Sequence, residues 1–282
     1  MTSTLQQQIQ EFYDASSGLW EQVWGEHMHH GYYGQDGKIP KNRYQAQVDL
    51  IEELLAWGNV TPAHNILDVG CGIGGTTLYL AEKFNAMATG ITLSPVQANR
   101  ARERATACNR SAHFEVADAL AMPFEDASFD LVWSLESGEH MPDKAQFMNE
   151  CCRVLKPGGR FVMAVWCHRP TDVSSGGLLT DDEQKHLEKI YQVYCLPYVI
   201  SLPNFAAIAH DLPFQNIETA DWTTAVSPFW SEVIASAISP AAVIGLIKAG
   251  RKTIQAALSM RLMQRGYARG LVRFGVLSAT RI

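Results

Sequence analysis

The segment ILDVGCGIGG, residues 66–75, constrains this chain more than any other. A short apolar β-run, HNILDV (64–69), carries Asp68 near its end. It then turns through Gly70, Gly72 and Gly74 into GGTTLYLAEKF, whose apolar spacing is helical. Glycine lets the backbone take positive φ and approach a ligand closely. The N-terminus of the following helix offers free N–H groups to an anion. The alternation continues with AMATGITL (86–93), PVQANRARERATAC (95–108) with Pro95 at a helix start, AHFEVAD (112–118), FDLVWSL (129–135), DKAQFMNECCRVL (143–155) and GRFVMAVW (159–166). Strand–helix alternation at this period predicts parallel βαβ units in a doubly wound, Rossmann-like α/β sheet.

The flanks complete that sheet. Helices are expected near 4–15 and 43–57, and residues 170–210 read as helical, punctuated by Pro170, Pro197 and Pro203. FQNIETADWT (214–223) reads as a sixth strand, 228–264 as mainly helical and LVRFGVLSA (271–279) as a last strand, so about seven strands are expected. Residues 1–60 would form a helical arm, 61–169 a cofactor core, and 170–282 a lid that also completes the same sheet, all in one domain. A chain of 282 residues suffices for such a core with a lid. The apolar run around 233–247 contains Pro240 and falls short of the roughly 20 residues a membrane span requires.

Six cysteines, Cys71, Cys108, Cys151, Cys152, Cys167 and Cys195, form no C-x-x-C pair, and MTSTLQQQIQEFYD has neither signal nor transit character. Reduced thiols in a cytoplasmic protein are expected. Charge is uneven: eight of the 23 basic residues and none of the 29 acidic ones lie beyond residue 232. The acidic body argues against nucleic acid as a partner. The basic C-terminal region suits either a peripheral contact with a membrane surface or arginines paired with the acidic body. The sequence does not fix the oligomeric state.

The loop chemistry narrows the cofactor. Nicotinamide enzymes use a similar glycine loop, but the dinucleotide pattern is G-x-G-x-x-G and Asp68 would repel a pyrophosphate. An acid beside a helix N-terminus suits a ligand carrying both an amine and a carboxylate, such as the methionine end of S-adenosylmethionine. VADALAMPF places Asp118 and Ala119 where a carboxylate can accept from an adenine amine, and Leu135 ends the fourth strand beside the same ligand. GITLSP lacks the acid that usually grips ribose, so Thr92 and Ser94 would share that task with backbone. Together with the LKPGGRF turn, the pattern resembles the class I S-adenosylmethionine-dependent methyltransferases.

More specific stretches, FYDASSGLWEQVWGEHMHHGYYG, VWSLESGEHMPDKAQF, WCHRP, IYQVYCLPYVISLP, TADWTTAVSPFW and RLMQRGYARGLVRFGVL, resemble the γ-tocopherol methyltransferases of photosynthetic organisms, with matches from residue 12 to about 277. The resemblance implies methyl transfer from S-adenosylmethionine to C5 of the chromanol ring of γ-tocopherol, giving α-tocopherol, and from δ- to β-tocopherol. Plant members carry a transit peptide that this chain lacks, which suits a bacterial or processed protein. An N- or O-methyltransferase acting on an indole alkaloid or another secondary metabolite remains the alternative, and a non-catalytic binding module is disfavoured by the intact loop.

The chemistry asks for a base. A ring carbon becomes nucleophilic when the phenol beside it, with a pKa near 10, loses its proton. Ligands of open α/β sheets lie beyond the carboxyl ends of the strands. His140 is therefore the first candidate, with Glu136 or Glu139 orienting it. The cluster His27, His29 and His30 lacks the convergent ligand set of a zinc site, and the reaction needs no metal. It reads instead as part of an N-terminal lid. Tyr13, Tyr32 and Tyr33 would cover the cofactor, His29 or His30 would reach the phenol, and Trp20 and Trp24 would wall a flat ring. Phe205, Trp222, Phe229 and Trp230 either line a tunnel for an apolar tail or are plain core.

Overall fold

A computed structural model describes residues 4–237 and 251–282, without the side chains of residues 19, 20, 22, 23, 236, 237 and 251–259. The glycine segment is the turn between β1 (Asn65–Val69) and α3 (Gly75–Phe84). The alternation runs on through β2 (Met87–Thr92), α4 (Pro95–Cys108), β3 (Ala112–Val116), β4 (Phe129–Leu135), α5 (Lys144–Val154) and β5 (Leu155–His168). These five strands are parallel. β6 (Phe214–Asp221) and β7 (Val272–Arg281) come from the last third of the chain. β7 lies antiparallel between β5 and β6, giving the order β3-β2-β1-β4-β5-β7-β6. The order reverses between β1 and β4, which opens a crevice at their carboxyl ends.

Successive strand residues point to opposite faces. Ile66 and Trp133 accordingly join one apolar layer with Leu50 and Leu54 of α2 (Arg43–Trp57), while Leu67 and Val132 join the other with Phe147 and Phe205. The remaining helices are α1 (Leu5–Trp24), α6 (Asp181–Tyr194), α7 (Leu202–His210), α8 (Thr223–Val226), α9 (Pro228–Ala237) and α10 (Arg251–Ala268).

Two elements differ from the sequence reading. α1 runs about nine residues beyond its expected end. The Ser17 hydroxyl donates to the Tyr13 carbonyl at 2.6 Å, so this serine is satisfied inside the helix. Gly25, at φ 85°, then ends it. Residues 170–210 hold two separate helices, with a glycine-containing loop before α6. Among the described residues, no helix is long and apolar enough to cross a membrane. Much of the apolar run around 233–247 lies outside them.

Candidate active site

The cofactor half is built from local backbone. Gly70, at φ 84°, donates its N–H to the Ile91 carbonyl at 2.9 Å. A Cβ there would lie 2.2 Å from Cβ of Ser137, whose hydroxyl donates to the Val69 carbonyl at 2.6 Å. Gly70 is therefore required by packing of the loop against the turn after β4, not only by close approach of a ligand. Gly72, at φ 53°, is the glycine facing open space, with Met28 Sδ the nearest atom to a built Cβ at 3.7 Å. Gly74 is the N-cap of α3. Asp68 is buried and accepts from the Thr77 hydroxyl at 2.6 Å, fastening the end of β1 to the first turn of α3. Burial pushes its pKa up to about 7, and the Thr77 hydrogen bonds restrain the rise.

Asp68, Gly70 and Gly72 line an open cavity together with Thr92, Ser94, Gln97 and Leu135. Thr92 Oγ1 donates to Gln97 Oε1 at 2.8 Å. The Ser94 hydroxyl accepts from the Gln97 N–H and donates to Asp14 of α1 at 2.5 Å. The arm thus brings a carboxylate to the end of β2, where that strand supplies none. Gln97 and Asp14 were missed in the sequence. Gln97 was legible one turn into the helix after GITLSP, but Asp14 is 80 residues away from its partner. Asp118 and Ala119 line an adjoining pocket that shares Gly70 and Thr92 with the first. There the Gln6 side-chain amide donates to Asp118 at 2.6 Å.

The acceptor half is assembled over long range. A second cavity is lined by Phe12, Trp24, Trp166 and Tyr194, together with Glu139. Tyr13, Met28, Glu136 and His140 line both this cavity and the cofactor cavity, and so mark the seam between them. Glu136, at φ 53°, ends β4 with its carboxylate turned inward. It accepts from the His30 N–H at 2.6 Å, from His30 Nδ1 at 2.7 Å and from Trp166 Nε1 at 2.9 Å. Burial opposes its charge, but His30 outweighs burial and lowers the pKa below the ordinary carboxylate value. Glu139 has the opposite fate: burial, then the Glu136 charge, raise its pKa well above the usual range. Its Oε2 is buried with no partner. The pKa values of two carboxylates three residues apart are thereby pushed in opposite directions, the arrangement from which acid–base sites are made.

His140 ends the short 3₁₀ turn Gly138–His140. Its Nε2 lies 2.7 Å from the Tyr13 hydroxyl. Burial, helped by Lys144, lowers its pKa to about 3, and burial raises that of Tyr13, so a neutral phenol donates to a neutral imidazole. Lys144 is itself buried, donates to the Glu139 and Met141 carbonyls at 2.8 and 2.6 Å, and holds the turn in place.

A family profile described as "Methyltransferase domain" matches residues 67–163. The chain is 45% identical to the tocopherol O-methyltransferase of Arabidopsis thaliana over 98% of its own length and 82% of that protein's. It is 37% identical to the 2-methyl-6-phytyl-1,4-hydroquinone methyltransferase of Synechocystis, over 94% of this chain and 84% of the other. The chain belongs to the tocopherol methyltransferase family. It is an S-adenosylmethionine-dependent methyltransferase. The fold is shared with the geranyl diphosphate C-methyltransferase of Streptomyces coelicolor, crystallised with S-adenosyl-L-homocysteine, at a TM-score of 0.77 and 20% identity over 100% of this chain and 99% of that one. A putative sarcosine dimethylglycine methyltransferase from Galdieria sulphuraria superimposes at 0.80, with 24% identity over 95% and 98%.

Several residues of this methyltransferase stand elsewhere than the sequence reading placed them. Glu136 pairs with His30 rather than His140, because its left-handed backbone turns the carboxylate toward the arm. His30 does not face the acceptor cavity: it is fully buried among Trp24, Trp166, Phe229, Trp230 and Phe274, with ring centroids 5.0–6.5 Å away. Tyr32 is not a cofactor lid. Its N–H donates to the Ala46 carbonyl as the chain crosses α2, and its ring packs on Trp222 at 5.3 Å. Phe205, Phe229 and Trp230 are core, while Trp166 and Tyr194, which the sequence reading did not name, line the second cavity. The Trp20 side chain lies outside the described residues.

His29 lines the cofactor cavity. Its Nδ1 donates to the His30 carbonyl at 2.8 Å, which leaves Nε2 a buried acceptor without a partner. Burial lowers its pKa to about 3, which keeps the ring neutral. His27 packs between Tyr44 and Tyr79 on the outer side of the arm. The three histidines thus serve three different neighbours.

Proposed function

We propose that the chain methylates C5 of the chromanol ring of γ-tocopherol, giving α-tocopherol, and converts δ- to β-tocopherol. The observation that supports this most is the aromatic-walled cavity with proton-handling groups along one edge, opening at its seam onto the cofactor cavity. Asp68 and His29 Nε2 face the place for an ammonium, Gly72 leaves room for close approach, and Thr92, Ser94 and Gln97 offer polar groups for ribose. Bound there, S-adenosylmethionine supplies an electrophilic methyl group.

The chain's own residues handle the phenol. Tyr13 is itself a phenol seated on His140 Nε2, so the turn presents a ring nitrogen suited to a phenolic O–H. An acceptor phenol exchanging with Tyr13 would share its proton with His140 Nε2 as C5 takes up the methyl group, and the C5 proton would then be lost as the ring regains aromaticity, leaving the hydroxyl to recover its own. Glu136, kept ionised by His30, favours cationic character at the seam. Glu139, whose burial favours the protonated form, would hydrogen-bond the phenolate oxygen. Phe12, Trp24, Trp166 and Tyr194 exclude water and hold the ring flat. The acceptor's tail is apolar, so we place the protein in the cytoplasm, peripheral to an internal membrane. No nucleic acid is involved.

A nitrogen acceptor is the second reading. It is supported by 34% identity to the norajmaline N-methyltransferase of Rauvolfia serpentina and by an ionised carboxylate in the acceptor cavity. Competing γ-tocopherol against a panel of indole amines, with labelled cofactor, separates the two. Turnover of the phenol at least tenfold above any amine is expected, and turnover of amines alone would overturn the tocopherol assignment.

A further inference from the structure

We infer that the loop before α6 and the groove between α6 and α10 form a docking surface for an anionic lipid bilayer. The loop displays the two most exposed large apolar side chains among the described residues, Val173 at 95% and Leu178 at 82%. Their exposure is built rather than incidental. The Arg169 guanidinium donates to the carbonyls of Pro170, Ser175, Gly177 and Leu178 at 2.8–3.2 Å and is clamped by Glu183 at 2.7 Å. One side chain thus fixes the loop in the shape that turns its apolar residues to solvent.

The loop leads into α6, and α6 and α10 border a groove lined by Lys185, Lys189, Arg265 and Arg269 with Asp182 as its acid. Arg269 pairs with Asp182 at 2.6 Å. Glu188 lies outside the groove on the same helix. Among the described residues, Lys185, Lys189 and Arg265 make no ion pair. Asp172 and Asp181 flank the apolar tips and oppose an anionic surface, but the four groove cations against Asp182 leave the groove basic, and apolar tips beside it match the two layers of a bilayer surface, acyl boundary and anionic headgroups. The inward faces of the same helices supply Tyr194 to the acceptor cavity and Tyr267 to the packing around His30. A membrane held at the groove is therefore separated from the acceptor cavity by one layer of helices.

The test is flotation of the full chain with vesicles of phosphatidylglycerol and phosphatidylcholine, or phosphatidylcholine alone. Salt-sensitive binding to the anionic vesicles is expected. Binding should fall about fivefold for each cation neutralised and further on reversal in K185E/K189E. Val173→Ser with Leu178→Ser should weaken binding while retaining its salt dependence. Both variants should methylate a short-tailed, water-soluble acceptor at the wild-type rate, whichever acceptor the panel above selects. The proposal is overturned if wild type ignores anionic vesicles, if both variants bind as wild type does, or if the variants lose self-association instead of vesicle binding.

Discussion

The two halves of the cavity are made differently. The cofactor half is a contiguous turn whose partners lie mostly within one βαβ unit: Asp68 with Thr77, Thr92 with Gln97, Ser94 with the N–H of Gln97. The acceptor half joins residues more than 100 positions apart, His30 with Glu136 and Tyr13 with His140. The first is specified by backbone geometry. The second exists only once the arm has docked on the turn after β4. Substitutions in the two halves should therefore fail in different ways.

The largest effect is expected for Gly70→Val, whose side chain would meet Ser137 far inside van der Waals contact and displace the loop from the turn after β4. Calorimetry should show no cofactor binding, and thermal melting should show a lowered midpoint. Gly72→Ala, facing open space but held at positive φ, should weaken cofactor binding with a much smaller fall in the melt. Equal melts for the two would mean that packing does not set the loop.

In the acceptor half, His140→Ala should lower kcat about a hundredfold with little change in KM and normal cofactor affinity, the scale of a lost proton acceptor. His29→Ala should lose less kcat and more cofactor affinity, since its free nitrogen faces the cofactor cavity. A reversal of that ranking, read from steady-state kinetics and titration together, would move the base to the arm.

Lys144 sharpens the comparison through pH. Burial lowers its pKa to about 8, against the opposing pull of Glu139. Above that pH the ammonium loses its charge and grips the Glu139 and Met141 carbonyls less firmly. The kcat profile should decline on the alkaline side of pH 8, Lys144→Met should be about tenfold slower without that decline, and Lys144→Arg should restore part of the rate. A wild-type alkaline limb that persists in Lys144→Met would assign it to another group.

Asp68 gives a smaller, stability-based effect. Its pKa is raised on folding, so its native proton is favoured below the unfolded value near 4 and the advantage is lost as pH rises through about 7. Asp68→Asn keeps an acceptor for Thr77. It should stabilise the cofactor-free protein by about 1–3 kcal/mol above pH 7, with no gain near pH 4, while weakening cofactor binding. Denaturant melts at the two pH values check it. Exhaustive chelation should change nothing in activity.

The same contrast explains what was legible in the sequence. The βαβ alternation, the glycine loop and the turn carrying Glu136, Glu139 and His140 are local, and local periodicity reveals them. The partner of Glu136 was not legible, because it depends on a left-handed residue at the end of β4 and on the path of a distant arm. Nor did the pattern show that His30 would be walled in by aromatics from β5, α9 and β7. Tyr32 looked like Tyr13 in composition, but Tyr13 projects from α1 onto His140 while Tyr32 lies beyond that helix and packs on Trp222.

The most direct test of ring-carbon methylation is the position of a labelled methyl group. Incubation with ¹³C-methyl S-adenosylmethionine and γ-tocopherol, followed by NMR of the product, should place the label on C5 of a chromanol whose hydroxyl remains free. A label on the phenolic oxygen, or unlabelled γ-tocopherol recovered while an amine is methylated, would contradict it.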